Sequence, residues 1–169
     1  MTAYQFRMPV GIPGEVNRVA AATIEAQVVT PLGTTGAPTE YGIPMVVDNT
    51  GGNVGNMRTV QAADASIYGL LVRPFPTGGS QDPLGTSTPP ASGLVDILVR
   101  GYMLVKLGGN SAAAKGGTAY VWVAATSTTH IQGHFESTFS SGNTIACPGN
   151  SYFTGPADAT GVVEVAFNI

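Results

Sequence analysis

Between Val95 and Leu107 the chain alternates with a period of two residues. Val95, Ile97, Val99, Met103, Val105 and Leu107 fall on one side, and Asp96, Arg100 and Lys106 fall on the other. No helix gathers those positions into one stripe, because its side chains repeat every 3.6 residues or so (about 100° per residue). The segment is therefore a strand. Fully extended it runs about 43 Å, too long to stay straight in a compact domain of this size, so Gly101 at its centre is the expected bend or bulge.

Four other stretches follow the same logic. From Ala22 to Val28, Ala22, Ile24, Ala26 and Val28 alternate with Thr23, Glu25 and Gln27, the pattern of a half-buried strand. Ile43 to Asp48 is a short apolar run before the Asn and Gly-rich turn of Asp48 to Asn56. Ile67 to Val72 is apolar almost throughout and is stopped by Pro74 and Pro76, which marks a buried strand. The chain ends in GVVEVAFNI, where Val163, Val165, Phe167 and Ile169 alternate with Glu164 and Asn168 and must pair within a sheet. Gln61 to Ser66 is the one stretch suited to a single helical turn. The expected class is all-β, with a single β domain over residues 21–169 and long loops rich in Gly, Pro, Ser and Thr.

Residues 1–20 carry two prolines and two glycines, and describe an extended N-terminal arm. Tyr4, Phe6, Met8, Val10 and Ile12 alternate along it, which suits a segment that docks on a surface or forms a first edge strand. In TAYVWVAA, Val121 and Val123 face one way and Tyr120 and Trp122 the other. A strand apolar on both faces lies between two layers or at a contact with another subunit, where Tyr and Trp are enriched. The candidate interface residues are thus Tyr4, Phe6, Met8, Tyr120 and Trp122.

Composition narrows the functions. Charged residues make up 10% of the chain, and the net charge is −3 with two Lys and five Arg spread along 169 residues, so no basic patch points to nucleic acid. No run of 18 apolar residues suits a membrane-spanning helix, and Arg7, Pro9, Pro13, Glu15 and Arg18 interrupt the start where a signal peptide needs an apolar core. Synthesis in a cytoplasm is the expectation. Cys147 is alone, so neither a disulfide within the chain nor a cysteine zinc site is expected.

His130 and His134 are four apart, a metal-ligand spacing on a helix, with Glu136 as a third ligand. Their setting, STTHIQGHFEST, is rich in β-branched residues, and in an extended chain the two rings lie about 13 Å apart; surface or strand histidines are the expectation, with no metal and no cofactor. Gly51, Gly78, Gly108 and Gly116 begin glycine pairs without a phosphate-loop pattern, and no GxSxG is present. No residue stands out as catalytic.

The order of these segments resembles the phage capsid cement proteins. The matching pieces are MPVGIPGEVNR, IPMVVD, IYGLLVRPF, VDILVRGYMLVKL with its central Gly, KGGTAYVWVA and the ending FTGPADATGVVEVAFNI. Pro74 to Gly93 and Ser127 to Ser151 match least. The resemblance implies a small β-barrel or β-sandwich domain that binds the outer surface of the capsid at junctions between major capsid subunits and stabilises the shell of the virion. It further implies a homo-oligomer, with a trimer favoured over a dimer, whose partner is the major capsid protein. It also implies no enzyme activity and no small-molecule substrate. The rival expectation is a carbohydrate-binding or adhesive β-sandwich on a virion or cell surface, with exposed Tyr and Trp stacked on sugar rings.

Overall fold

A computed structural model describes residues 10–29, 36–74, 88–109 and 112–169. Its longest element, strand β6 (Gly93–Lys106), spans 14 residues and organises everything else. The strands before it are β1 (Val16–Asn17), β2 (Thr23–Val29), β3 (Pro44–Val47), β4 (Met57–Thr59) and β5 (Gly69–Leu71). Those after it are β7 (Tyr120–Trp122), β8 (Phe135–Glu136), β9 (Thr144–Ala146), β10 (Tyr152–Phe153) and β11 (Val162–Phe167). Two short 3-10 turns, Val19–Ala21 and Gly51–Asn53, are the helical elements among the described residues, and Gln61 to Ser66 forms a turn rather than a helix.

The first half of β6 closes a five-stranded barrel. β2 pairs with it antiparallel, the order continues through β4, β3 and β5, and β5 returns to β6, so that Leu98 faces both Ile24 and Leu70 across the ladders. The second half serves a different group: Val16 and Asn17 of β1 pair with Met103 and Tyr102, and β11 runs antiparallel from Val162 opposite Lys106 to Phe167 opposite Gly101. β10 adds to the outer edge of β11. A separate three-stranded sheet, in the order β8, β7, β9, completes the fold.

Two cores follow from this division. Val29, Ile43, Met45, Met57, Leu71, Val95 and Ile97 fill the barrel interior. Val46, Leu70, Val72 and Leu98, on the outer wall of the barrel, pack with Met103, Val105, Val121, Phe135, Phe153 and Phe167. The six apolar residues expected to share one face of β6 do not: Val95 and Ile97 belong to the first core, and Met103 and Val105 to the second. The cause is a bulge. Thr23 pairs with Arg100 and Ile24 with Leu98, which leaves Val99 as an extra residue on β6 and reverses the phase of every side chain beyond it.

The bulge falls at Val99 and not at the expected Gly101, which takes a positive φ of 142°, and a Cβ there would lie 3.1 Å from the Cα of Ala22. The chain entering β2 crosses over this glycine. Gly69 is also tight, since its Cβ would lie 2.4 Å from Cγ2 of Ile97 and 2.7 Å from the Leu98 carbonyl oxygen. Close contact of β5 with β6 at the barrel seam thus requires a residue without a side chain.

Candidate interface

β7 is the middle strand of its sheet, held by β8 and β9. Val121 and Val123 enter the second core, as the alternation requires. Trp122 turns the other way, yet 91% of it is covered because it keeps a relative exposure of only 9%. The imidazole of His130 stacks on the indole at 4.1 Å and 11°, and Nε1 donates to the Ala125 carbonyl at 3.3 Å. His130 is fixed in turn by Glu136, whose Oε1 lies 2.9 Å from Nδ1. The carboxylate of Glu136 is buried against Gly109, where any Cβ would come within 2.9 Å of Oε2.

Tyr120 is half-buried. Its ring meets Phe139 at 5.7 Å and 53°, and Phe139 is 60% exposed. Phe139, Ser140 and Thr138 rim an open cleft of about 490 Å³ with His130, Trp122 and Glu136 on its walls. The exposed aromatic ring beside this sheet is therefore Phe139, which nothing in the sequence separates from the Ser and Thr around it. His134 is buried, with Nε2 3.5 Å from Oε2 of Glu40. The hydrogen bond from His134 is the chief cause of a Glu40 carboxyl held below its ordinary value. His130 and His134 thus face different carboxylates.

β2 lies where its alternation put it, with its faces reversed from expectation. Ile24 (41% exposed), Ala26 and Val28 point outward, while Glu25 and Gln27 are half-buried. The inward polar pair is satisfied: the Tyr68 hydroxyl donates to Glu25, and Gln27 Nε2 donates to the same carboxylate at 3.2 Å. The hydrogen bond to Glu25, reinforced by burial and by the charge of that carboxylate, pushes the Tyr68 hydroxyl up from its ordinary value. Period two fixes which residues share a face, and burial of a hydrogen-bonded carboxylate decides which face turns in.

The outward side chains form an apolar strip. Val19 precedes it in the 3-10 turn, Ile24, Ala26 and Val28 line it, and Leu94, paired with Val28 across the ladder, is 74% exposed at its end. Asp96, opposite Ala26, sets one exposed carboxylate beside it. Arg100 and Lys106 are also exposed on β6.

At the other end of β6 the chain's start is fastened down. Val10 N donates to Oδ2 of Asp158 at 3.1 Å, Gly14 N to the Leu104 carbonyl at 2.8 Å, and Leu104 N to the Glu15 carbonyl at 2.9 Å. Burial pushes the Asp158 carboxyl up, but hydrogen bonds from the Thr160 hydroxyl and from the amides of Val10, Val162 and Thr160 outweigh it and hold the group below its ordinary value. Arg18 adds a 3.0 Å ion pair to Glu164 and stacks over Tyr102 at 4.1 Å. Tyr4, Phe6 and Met8 lie outside the described residues.

Comparison with known proteins identifies the family. A chain in a solved structure entitled "The capsid of Myoviridae Phage XM1" has the same fold, with a TM-score of 0.71 at 16% identity over 98% of this chain and 95% of that one. No curated protein matches the sequence. The family model described as XM1 gp53 minor capsid protein matches residues 1–167. With an all-β fold built on a closed five-stranded barrel and a sequence matched almost from end to end, the chain belongs to the XM1 gp53 minor capsid protein family and has a structural role in a phage capsid.

Proposed function

We propose that this capsid protein acts as cement. It seats as a homo-oligomer on the outer surface of the shell, at junctions between major capsid subunits, and stabilises them without catalysing a reaction. It is made in the host cytoplasm and works on the virion. The observation that supports this is the exposure of large apolar side chains in two separate patches, Leu94 with the β2 strip and Phe139 beside Tyr120. Apolar surface left in water costs roughly 25 cal/mol per Å², and contiguous patches of it mark contact sites.

Two patches suit a subunit that touches more than one neighbour. Each further contact of an oligomer already bound forms at high effective concentration, so modest interfaces add up to firm attachment. A shell under outward pressure must then break the added interface before its subunits part. Phe139 and Tyr120 are assigned to the shell, and Trp122 supports them from beneath.

A reconstruction of the mature particle tests this. Density for the barrel on the outer face between capsid subunits, together with a lower disruption temperature for shells lacking the protein, is the expected result. Density on the inner face, or purified protein that binds a glycan array and ignores empty shells, overturns it in favour of another role.

A further inference from the structure

Arg18 and Arg58 each hold a carboxylate, at 3.0 Å from Glu164 and 2.7 Å from Asp64. Arg73 holds none among the described residues. Its backbone amide donates to the Gly14 carbonyl at 2.8 Å, and its guanidinium leans on the Tyr41 ring, 5.6 Å from the centroid, but Nη2 is buried without an acceptor. A guanidinium is always charged and carries five N–H donors, so a half-buried one that meets no carboxylate is costly to the free chain.

Arg73 lines an open cleft of about 460 Å³. The walls include Ile12 and Pro13 from the chain's start, Glu40 and Tyr41 before β3, and Lys106 at the end of β6. Lys106 is exposed and, like Arg73, makes no ion pair among the described residues. Glu40 is the one carboxylate among the described residues that lines the cleft, and it is committed to His134. Lys106 is near enough to add its charge to the causes that hold the Glu40 carboxyl down, yet it is the last of them. Glu15, against Gly11, and Asp158 flank the cleft without lining it, and the Asp158 oxygens are taken by the amides of Val10, Thr160 and Val162.

Two cations and one occupied carboxylate leave room for one further negative group. The planar fork of an arginine matches the two oxygens of a carboxylate, and a lysine adds a point charge on a flexible stem. A singly charged carboxylate suits a cleft that already contains Glu40 better than a doubly charged phosphate does. Ile12 and Pro13 are half-buried and apolar, so a side chain that brings methylene groups with its charge covers them, whereas a bare ion leaves them wet.

We propose that this cleft is a socket for an acidic side chain, an Asp or Glu of the major capsid protein, gripped by Arg73 and capped by Lys106. The socket rests on the cement reading, which supplies the partner, and it names the chemistry of a third contact, ionic and separate from the two apolar patches. The counter-charge that Arg73 lacks in the free chain arrives with the shell.

A water-soluble carbodiimide tests the contact, because it joins a lysine amine to a carboxylate only where the two touch. It is applied to the full chain bound to shells of the phage that encodes it, and Lys106 joined to an Asp or Glu of the major capsid protein is the expected product by mass spectrometry. Lys106 joined only to its own Glu40, only to a second copy, or to nothing on decorated shells overturns the socket. Arg73→Met is expected to keep or raise the thermal midpoint, since it removes a charge that the free chain leaves unpaired, and to weaken binding to shells at least tenfold at low salt. Lys106→Glu is expected to do the same to binding from an exposed position, and added salt is expected to narrow the gap between the wild type and both variants. Variants that bind shells as the wild type does, or an Arg73→Met chain that unfolds, overturn the proposal. Inorganic phosphate or acetate that raises the midpoint of the wild type but not of Arg73→Met, with shell binding alike in the two, makes the cleft a free-ion site and overturns it as well. Shells decorated by the wild type in any of these cases leave the cement reading standing, whereas shells left bare by the wild type refute that reading and the socket with it.

Discussion

Ile97 and Leu98 are adjacent in the chain and fully buried in two different cores, one inside the barrel and one outside it. A strand that passes between two apolar layers is buried on both faces, and β6 does so at Ile97 and Leu98, whereas Leu94 and Asp96 just before them are exposed. Ile97→Ala and Leu98→Ala are each expected to cost about 2–5 kcal/mol, measured by chemical denaturation.

The bulge at Val99 sets the phase between the halves of β6. Deleting Val99 turns Met103 and Val105 away from Phe153 and Phe167 while Val95 and Ile97 stay in place. The expected outcome is a chain that fails to fold, seen as insoluble expression or loss of the cooperative thermal transition. Val99→Ala keeps the count of residues and is expected to remain folded.

At the barrel seam, Gly69→Ala places a methyl against Ile97 Cγ2 and against the Leu98 carbonyl oxygen. Overpacking of this kind costs about 1–3 kcal/mol. Ile97→Ala in the same chain relieves the first clash but not the second, because the carbonyl belongs to the backbone, so recovery in the double variant is expected to be incomplete by equilibrium denaturation.

Phe139→Ser is expected to change stability by no more than about 0.5 kcal/mol, since the ring is exposed, and to lower the occupancy of shells. Trp122→Ala removes a ring that is packed under His130 and is expected to cost about 3–5 kcal/mol. Comparing the thermal midpoints of the two variants with their binding to shells separates contact from support.

Acid is expected to weaken the fold through Asp48. The Thr50 hydroxyl, bonded to its Oδ1 at 2.6 Å, is the chief cause of a carboxyl held below the ordinary 3.8, and Arg58 adds its charge. A carboxyl lowered by folding contributes stability that is fully present above its unfolded value and is lost as pH falls through its folded one. Stability is therefore expected to fall from about pH 4 downward. Thr50→Val shrinks that loss, with its penalty largest near neutral pH; parallel denaturation curves at pH 3 and pH 6 give the comparison.

The strands with the strongest alternation were legible in the sequence, because a half-buried strand writes its period into its residues. β2, β6 and β11 were found that way, and the apolar runs of β3 and β5 marked buried strands. What a period cannot state is phase across a bulge or the direction of burial. For β6 the extra residue is an ordinary valine that nothing in the sequence singles out, and for β2 the polar face turned inward because Tyr68, more than forty residues away, completes the hydrogen bonds of Glu25. Among the strands of two or three residues, β1, β4, β8, β9 and β10 show no period at all, whereas β5 and β7 sit within longer apolar runs that marked them. Trp122 stood out as an aromatic on a two-sided strand, but its cover comes from His130 in a later loop. Phe139 lacked any strand pattern to mark it.

β6 belongs to the barrel through one half and to the outer layer through the other, so neither part can melt while the other keeps that strand paired. The molecule should accordingly come apart in a single calorimetric step, with the van't Hoff and measured enthalpies equal. On the cement reading proposed above, tension applied at either end of β6 is carried through one continuous backbone and shared with the strands paired along it.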